Sequence, residues 1–150
     1  MASSKSSNRK LSRGLRLNNP CCLTHGVSQW QGKSADQPDP KFVKFDTLAY
    51  GYRAAFKLLN RYHYWYKLQT VHEIMHRFAP TYDNNNTQLY IDIICKFVGV
   101  EPHEVLPAPS DDPVLWSKFL TIITKVEQGI GIEEVDQSAI AEGYRMAFGK

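Results

Sequence analysis

The stretch Asp111-Asp112-Pro113-Val114-Leu115-Trp116-Ser117-Lys118-Phe119-Leu120-Thr121-Ile122-Ile123-Thr124-Lys125-Val126-Glu127-Gln128-Gly129 decides the fold class. Its two acids sit where a helix carries partial positive charge, and Pro113 stands near the first helical position, where its missing N–H costs nothing. Val114, Leu115, Phe119, Ile122, Ile123 and Val126 recur near the 3.6-residue period, and Gly129 supplies a stop just after Glu127. A helix with start signal, apolar face and stop signal all in agreement is the strongest element that this chain offers.

The same logic extends upstream and downstream. Thr47 can cap a helix running to about Tyr66, with Leu48, Tyr52, Ala55, Phe56, Leu59 and His63 at helical spacing. Thr70-Val71-His72-Glu73 reads as a capping box for a short helix that stops before Pro80. Asn86 or Thr87 caps a third helix, whose face is Leu89, Ile93, Ile94 and Phe97 and whose stop is Gly99. Asp136 opens a last helix through about Phe148. Residues 13–40 are loop-like, punctuated by Asn18-Asn19-Pro20, His25-Gly26, Gln31-Gly32 and Asp36 to Pro40. Cys22-Leu23 and Phe42-Val43-Lys44-Phe45 are expected to pair as a small two-stranded ribbon leaning on the helices. The fold class is therefore mainly α: one helical domain over 13–150 with a small β-ribbon near its N-terminus.

Composition bounds the function. The chain has 150 residues, 43% hydrophobic and 22% charged, enough for one domain with its own core. No apolar run is long enough for a membrane span. The opening MASSKSSNRK has no apolar core, so no secretory signal peptide is expected. Three cysteines are an odd number and do not make a disulfide framework. The net charge of +3 is lopsided: residues 1–34 carry six Lys/Arg and no acid, leaving a slightly acidic remainder. Residues 1–12 are Ser, Lys, Arg and Asn with little to bury, so a disordered basic arm is expected. No DNA- or RNA-binding motif accompanies it, so nucleic acid is not expected as a partner.

Several residues invite chemistry. His72-Glu73-Ile74-Met75-His76 matches H-E-x-x-H, which on a helix places two imidazoles on one face for zinc with Glu73 activating water. Against it stand the capping role of Glu73, the shortness of the helix and the lack of a third ligand beyond His103, Glu101 or Glu104. Cys21, Cys22 and Cys95 read as small hydrophobes rather than ligands. Tyr62-His63-Tyr64-Trp65-Tyr66 could stack on sugars or bases, but consecutive positions at a helix end point in different directions, which favours core and rim. Glu127 follows Ile122, Ile123 and Val126 in the last turn before Gly129. Desolvation and the negative helix end both disfavour an ionised carboxylate, the condition a general acid for glycosidic cleavage requires. No pattern calls for a cofactor.

Arg13-Gly14-Leu15-Arg16-Leu17-Asn18-Asn19-Pro20 resembles the R-G-x-R-x-N-N-P-G-N-[IL] opening of a family of small phage and prophage virion structural proteins, themselves similar to lysozyme-like murein-degrading enzymes. Trp30-Gln31-Gly32, Phe42 to Ala54, Thr70-Val71, Phe78-Ala79-Pro80, Asn86-Thr87 with Tyr90, Val98-Gly99-Val100 and Glu127-Gln128-Gly129 continue the resemblance in order over about residues 13–147. It implies a lysozyme-like domain that cleaves glycosidic bonds of peptidoglycan. Glu127 would be the acid, Asn18 and Asn19 would hold sugar N-acetyl groups, Arg16 would shape the turn, and Trp30 or Tyr50 would line a subsite. Asp46 and Glu133 are the options for a second carboxylate. The sequence departs from the pattern at Cys21-Cys22, where the family has Gly-Asn, at Gln128, where it has Asn, and at Val126, where it has a basic residue. The implied partners are peptidoglycan and other virion proteins. The implied location is the virion or the cell wall, after synthesis in the host cytoplasm. Two rivals stay open: a non-enzymatic virion component, and a zinc-dependent murein peptidase using His72, Glu73 and His76.

Overall fold

The computed structural model describes residues 11–150. Its α-helices are built as the caps dictate. They are α1 (Arg13–Arg16), α2 (Leu48–Trp65), α3 (Val71–Phe78), α4 (Thr87–Val98), α5 (Pro113–Gln128) and α6 (Gln137–Phe148). Thr47 accepts from the Tyr50 N–H, Asn86 from Leu89, Asp112 from Leu115 and Asp136 from Ala139, each satisfying a donor that the first turn leaves open. Thr70 accepts from Glu73 N–H, and the Glu73 carboxylate reaches back to the Gln69 N–H at 3.0 Å. Gly99, Gly129 and Gly149 close α4, α5 and α6 in the left-handed conformation.

α5 is the centre of the core. Trp116, Phe119, Leu120, Ile122 and Ile123 are buried, and Thr121 and Thr124 with them. A helix buried on so many sides is wrapped by neighbours rather than laid on a surface. The buried hydroxyls are satisfied: Thr124 bonds back to Leu120 C=O and meets the Tyr52 hydroxyl at 2.8 Å, and Trp116 Nε1 donates to Pro107 C=O. Val114 and Val126, expected in the apolar face, are instead exposed, and Trp116 takes the central position. α2 and α6 pack as a pair through an aromatic cluster. The Phe56 and Tyr144 rings meet edge-on at 5.1 Å and Tyr144 and Phe148 at 4.9 Å. α4 turns Tyr90, Ile91, Ile94 and Cys95 inward, one step round from the expected face, so Leu89 is exposed and Ile93 only half-buried.

The expected β-ribbon is corrected. Among the described residues, only two isolated antiparallel bridges form, Thr24 with Phe42 and Lys33 with Phe45. Val43 N–H donates to Leu23 C=O and His25 N–H to Lys41 C=O, but the ladder goes no further. Side-chain amides take over its groups. Asn19 donates to the carbonyls of Leu23 and Val43 at 2.9 and 2.8 Å and accepts from Leu23 N–H. Gln37 donates to Ser34 and Lys44 carbonyls and accepts from Lys44 N–H. A bidentate Arg13–Asp39 pair clasps the outside, with Arg13 also over the Phe42 ring.

The opening turn is pressed onto the helices. A side chain at Gly51 would collide with the Asn18 carbonyl, so α2 can receive this turn only through glycine. The expected arm over 1–12 lies, for residues 1–10, outside the described residues; Leu11 is exposed, whereas the Ser12 hydroxyl already bonds Gln128.

Asn19 is thus a fully buried side chain that replaces a strand ladder. Asn19→Ala strands the Leu23 N–H and the Val43 carbonyl, at about 1–2 kcal/mol each, whereas the Leu23 carbonyl keeps its bond from the Val43 N–H. Urea denaturation is expected to show a loss of roughly 2–4 kcal/mol; an unchanged midpoint would refute the scaffold role.

Candidate functional site

α5 ends at the wall of a cleft of about 420 Å³, and its penultimate residue, Glu127, is half-buried there. The position follows from contacts made by the next residue. Gln128 is buried, its Nε2 donates to Pro20 C=O at 2.9 Å, and its Oε1 accepts from the Ser12 hydroxyl at 2.5 Å. Gly14 leaves the space that this amide fills. The opening turn and the helix end are therefore locked together, and Cys21 and Cys22 stand with Glu127 in the cleft wall.

The carboxylate is held by polar neighbours. Tyr90 from α4 donates its hydroxyl to Glu127 Oε2 at 2.8 Å, and the Cys22 thiol, which accepts from Gln128 Nε2 at 3.5 Å, lies close enough to feel the carboxylate's charge. Burial and the charge of Glu127 push the Cys22 thiol up to about 12, so it stays a thiol at neutral pH and is no nucleophile. Burial, followed by the same charge, drives the Tyr90 phenol well above its ordinary value, keeping it a donor. Towards the outside, Glu127 borders the exposed or half-buried apolar side chains Leu89, Ile93 and Val126. The chemistry available is that of an oriented carboxyl group between a phenol and a thiol, open to a cleft on one side.

The cleft's other walls carry no signal in the sequence pattern. Arg61 from α2, Arg77 from α3, Tyr82 and Asp83 from the short turn after Pro80, and Asn85 all line it. Arg77 lies 4.0 Å from the centre of the Tyr66 ring, and Arg61 lies 5.3 Å from that of Trp30. Asp83 is a second carboxylate of this cleft; Asp46 and Glu133 do not line it, and Asp46 instead accepts from the Ser34 hydroxyl. These residues sit on turns and exposed helix faces, where no periodicity or spacing announces them. The polar run 81–86 following Pro80 is the one hint of a turn that could carry a site.

Of the residues expected to hold substrate, the structure brings only Trp30 to the cleft with Glu127. Asn19 is sealed in the scaffold with both amide hydrogens used. Asn18 donates to Phe45 C=O and lies in the left-handed region, shaping the turn beneath the cleft. Arg16 donates to Leu11 C=O, and Tyr50 packs over Gly32. Cys21 and Cys95 are buried among the core hydrophobes. In the aromatic run, Tyr62 is buried, whereas Tyr64, Trp65 and Tyr66 are exposed.

The H-E-x-x-H residues do not close a metal site. The His72 ring lies 4.4 Å from that of His76 and 4.5 Å from that of His103, but Glu73 is spent on the helix cap. Among the described residues, no group of three or more His, Cys, Asp or Glu is arranged to hold a metal ion.

Fold and site together define a mainly helical domain with an acid-bearing cleft at the end of its central helix. No family model matches the chain. The chain is similar to Protein P5 of Pseudoalteromonas phage PM2, with 34% identity over 97 residues, 63% of this chain and 60% of that protein. The chain thus spans less than two thirds of the relative it matches, and that relative is a phage protein. Among the described residues, no helix is long and apolar enough to cross a membrane.

Cys22 sits where the proteins that the opening turn resembles carry Asn, and its φ of 56° belongs to the left-handed region, which Asn tolerates better than most L residues. Cys22→Asn is expected to raise stability by about 1 kcal/mol, or roughly 2–4 °C in Tm. A calorimetric scan showing a lower Tm would count against strain at this position.

Proposed function

We propose that this chain is a component of a phage particle, with a lysozyme-like domain whose cleft engages host murein. Similarity to a phage protein supports the first part. The observation that carries the second is Glu127, held by the Tyr90 hydroxyl at the wall of a cleft that also presents Cys22, Trp30, Arg61 and Asp83. Aromatic faces suit the C–H faces of sugar rings, and the carboxyl group borders the space where a glycosidic oxygen would lie.

In the enzymatic form of this reading, Glu127 gives its proton to the glycosidic oxygen as the C1–O bond breaks, the bonding pair leaving with that oxygen. The positive charge that develops at C1 is met either by water, which loses a proton to a carboxylate such as Asp83, or by a hydroxyl of the substrate itself, whose proton passes to the Glu127 carboxylate. The first outcome is hydrolysis; the second is transglycosylation and needs no second carboxylate.

A second reading, a particle component that keeps the fold without catalysis, has its own support. The similarity to Protein P5 concerns a phage protein and says nothing of cleavage. Asn18 and Asn19, which the family resemblance assigns to sugar contacts, are engaged in holding the backbone.

Turbidity of purified murein, with mass spectrometry of the released fragments, separates the two. The enzymatic reading predicts reducing-end or anhydro-sugar fragments from the wild type and a loss of about 10²-fold or more in Glu127→Gln. Absence of lysis on several murein types, together with detection of the chain in purified particles, leaves the structural component.

A further inference from the structure

A second groove, of about 440 Å³, opens on the other side of Trp30 and Arg61, which line both it and the Glu127 cleft. Its floor is one face of α2. Arg53, Lys57 and Arg61 follow at intervals of four residues, a rise of about 6 Å for each step along the helix. Asn60, Tyr64 and Trp65 also line the groove. Among the described residues, no Asp or Glu lines this groove and none of its three cations forms an ion pair. Arg61 lies between Trp30 and Trp65, 5.3 and 4.9 Å from their ring centres, and its Nη1 donates to the Ser28 hydroxyl. Lys57 reaches the Ala147 carbonyl, at 3.4 Å. The Arg53 Nε is buried without a hydrogen-bond partner, although a guanidinium so placed ordinarily finds an acceptor. Trp65 is 70% exposed, a large apolar surface for a ring that is not serving the core.

Three cations without ion-pair partners, the last of them set between two indole rings, make a track for an anionic polymer that also has flat apolar faces. Continuity with the Glu127 cleft through Trp30 and Arg61 selects which polymer. We infer that this groove is a second binding site for the murein strand, in which Arg53, Lys57 and Arg61 take carboxylates of its peptide stems and Trp30 and Trp65 lie against its sugars. This inference rests on the murein reading of the cleft and extends it, because a strand lying across Glu127 must continue into a neighbouring groove. Single-stranded nucleic acid also suits cations interleaved with aromatics, and an oligonucleotide competitor detects it.

Co-sedimentation with insoluble murein is measured in a Glu127→Gln background, so that the polymer stays intact. Lys57→Glu is expected to weaken binding roughly fivefold or more, while Lys57→Arg binds as the parent does. Converting murein carboxylates to amides alters no protein residue and is expected to weaken binding of the parent by a similar factor, with little further effect on Lys57→Glu. Raising salt should weaken the parent more than Lys57→Glu. Unchanged sedimentation of Lys57→Glu, or indifference to amidated murein, overturns the proposal. So does a thirty-nucleotide oligothymidylate that binds through Lys57 and displaces the protein from murein. Failure of the cleavage reading is distinguishable: wild-type protein then releases no fragments, while carboxylate-dependent, Lys57-dependent sedimentation persists.

Discussion

The Gln128 side-chain amide joins the two ends of the fold and sets the site between them. It bonds the Ser12 hydroxyl through Oε1 and the Pro20 carbonyl through Nε2, across more than a hundred residues of chain. The amide is buried, so each of these groups would lose a partner without gaining water if the contact opened. Gly14 makes the approach possible, and Gly51 lets the same turn sit on α2. The cleft follows from this junction. With the turn fixed against the end of α5, Cys22 is brought to Glu127 and Tyr90 closes on it from α4. A shift of the turn would separate the thiol from the carboxylate and open the cleft wall at its acid.

The helices were legible because caps and stops act locally. Thr47, Thr70, Asn86, Asp112 and Asp136 each bond a donor within three residues, so their role can be read from neighbours in the sequence. Which face turns inward was less legible. Leu89 and Val126 fit a helical stripe, yet α4 and α5 present them outward because the neighbouring helices meet Tyr90, Ile91 and Trp116 instead. The ribbon failed for a related reason. Phe42 to Phe45 has strand character, but nothing local shows that Asn19 and Gln37 would supply hydrogen bonds that a partner strand otherwise gives. For the site, the expectation placed on Glu127 rests on its helix end and on the family resemblance. Arg61, Arg77 and Asp83 converge on it only through tertiary packing, and their spacing in the chain carries no trace of that.

Placing a carboxyl group in the last turn of a buried helix has a structural logic of its own. The helix core is apolar up to Ile123 except for Thr121, whose hydroxyl bonds the Ser117 carbonyl, while the final turn emerges where C=O groups are unsatisfied and the Glu127 side chain reaches the cleft. Gly129 then turns the chain away, in the left-handed conformation, without covering the acid. The rigid core positions the group and the abrupt stop exposes it. The short α3 offers neither advantage to the His72–His76 pair, because its carboxylate is consumed in the cap that starts the helix.

The distribution of charge across the cleft bears on how an anionic glycan would meet this acid. Glu127 and Asp83 share the cleft with Lys41, Arg61 and Arg77, whereas the groove beyond Trp30 carries cations and, among the described residues, no acids. On the murein reading, a polymer bearing carboxylates would therefore meet cations alone in the far groove and a mixture of cations and acids beside Glu127. Such a field would favour one register, with charged stems outward on α2 and the neutral sugar linkage towards Glu127, since a stem carboxylate set against the two acids is the costliest alternative. Arg61, common to both spaces and held between two indole rings, is the point at which that register would be set.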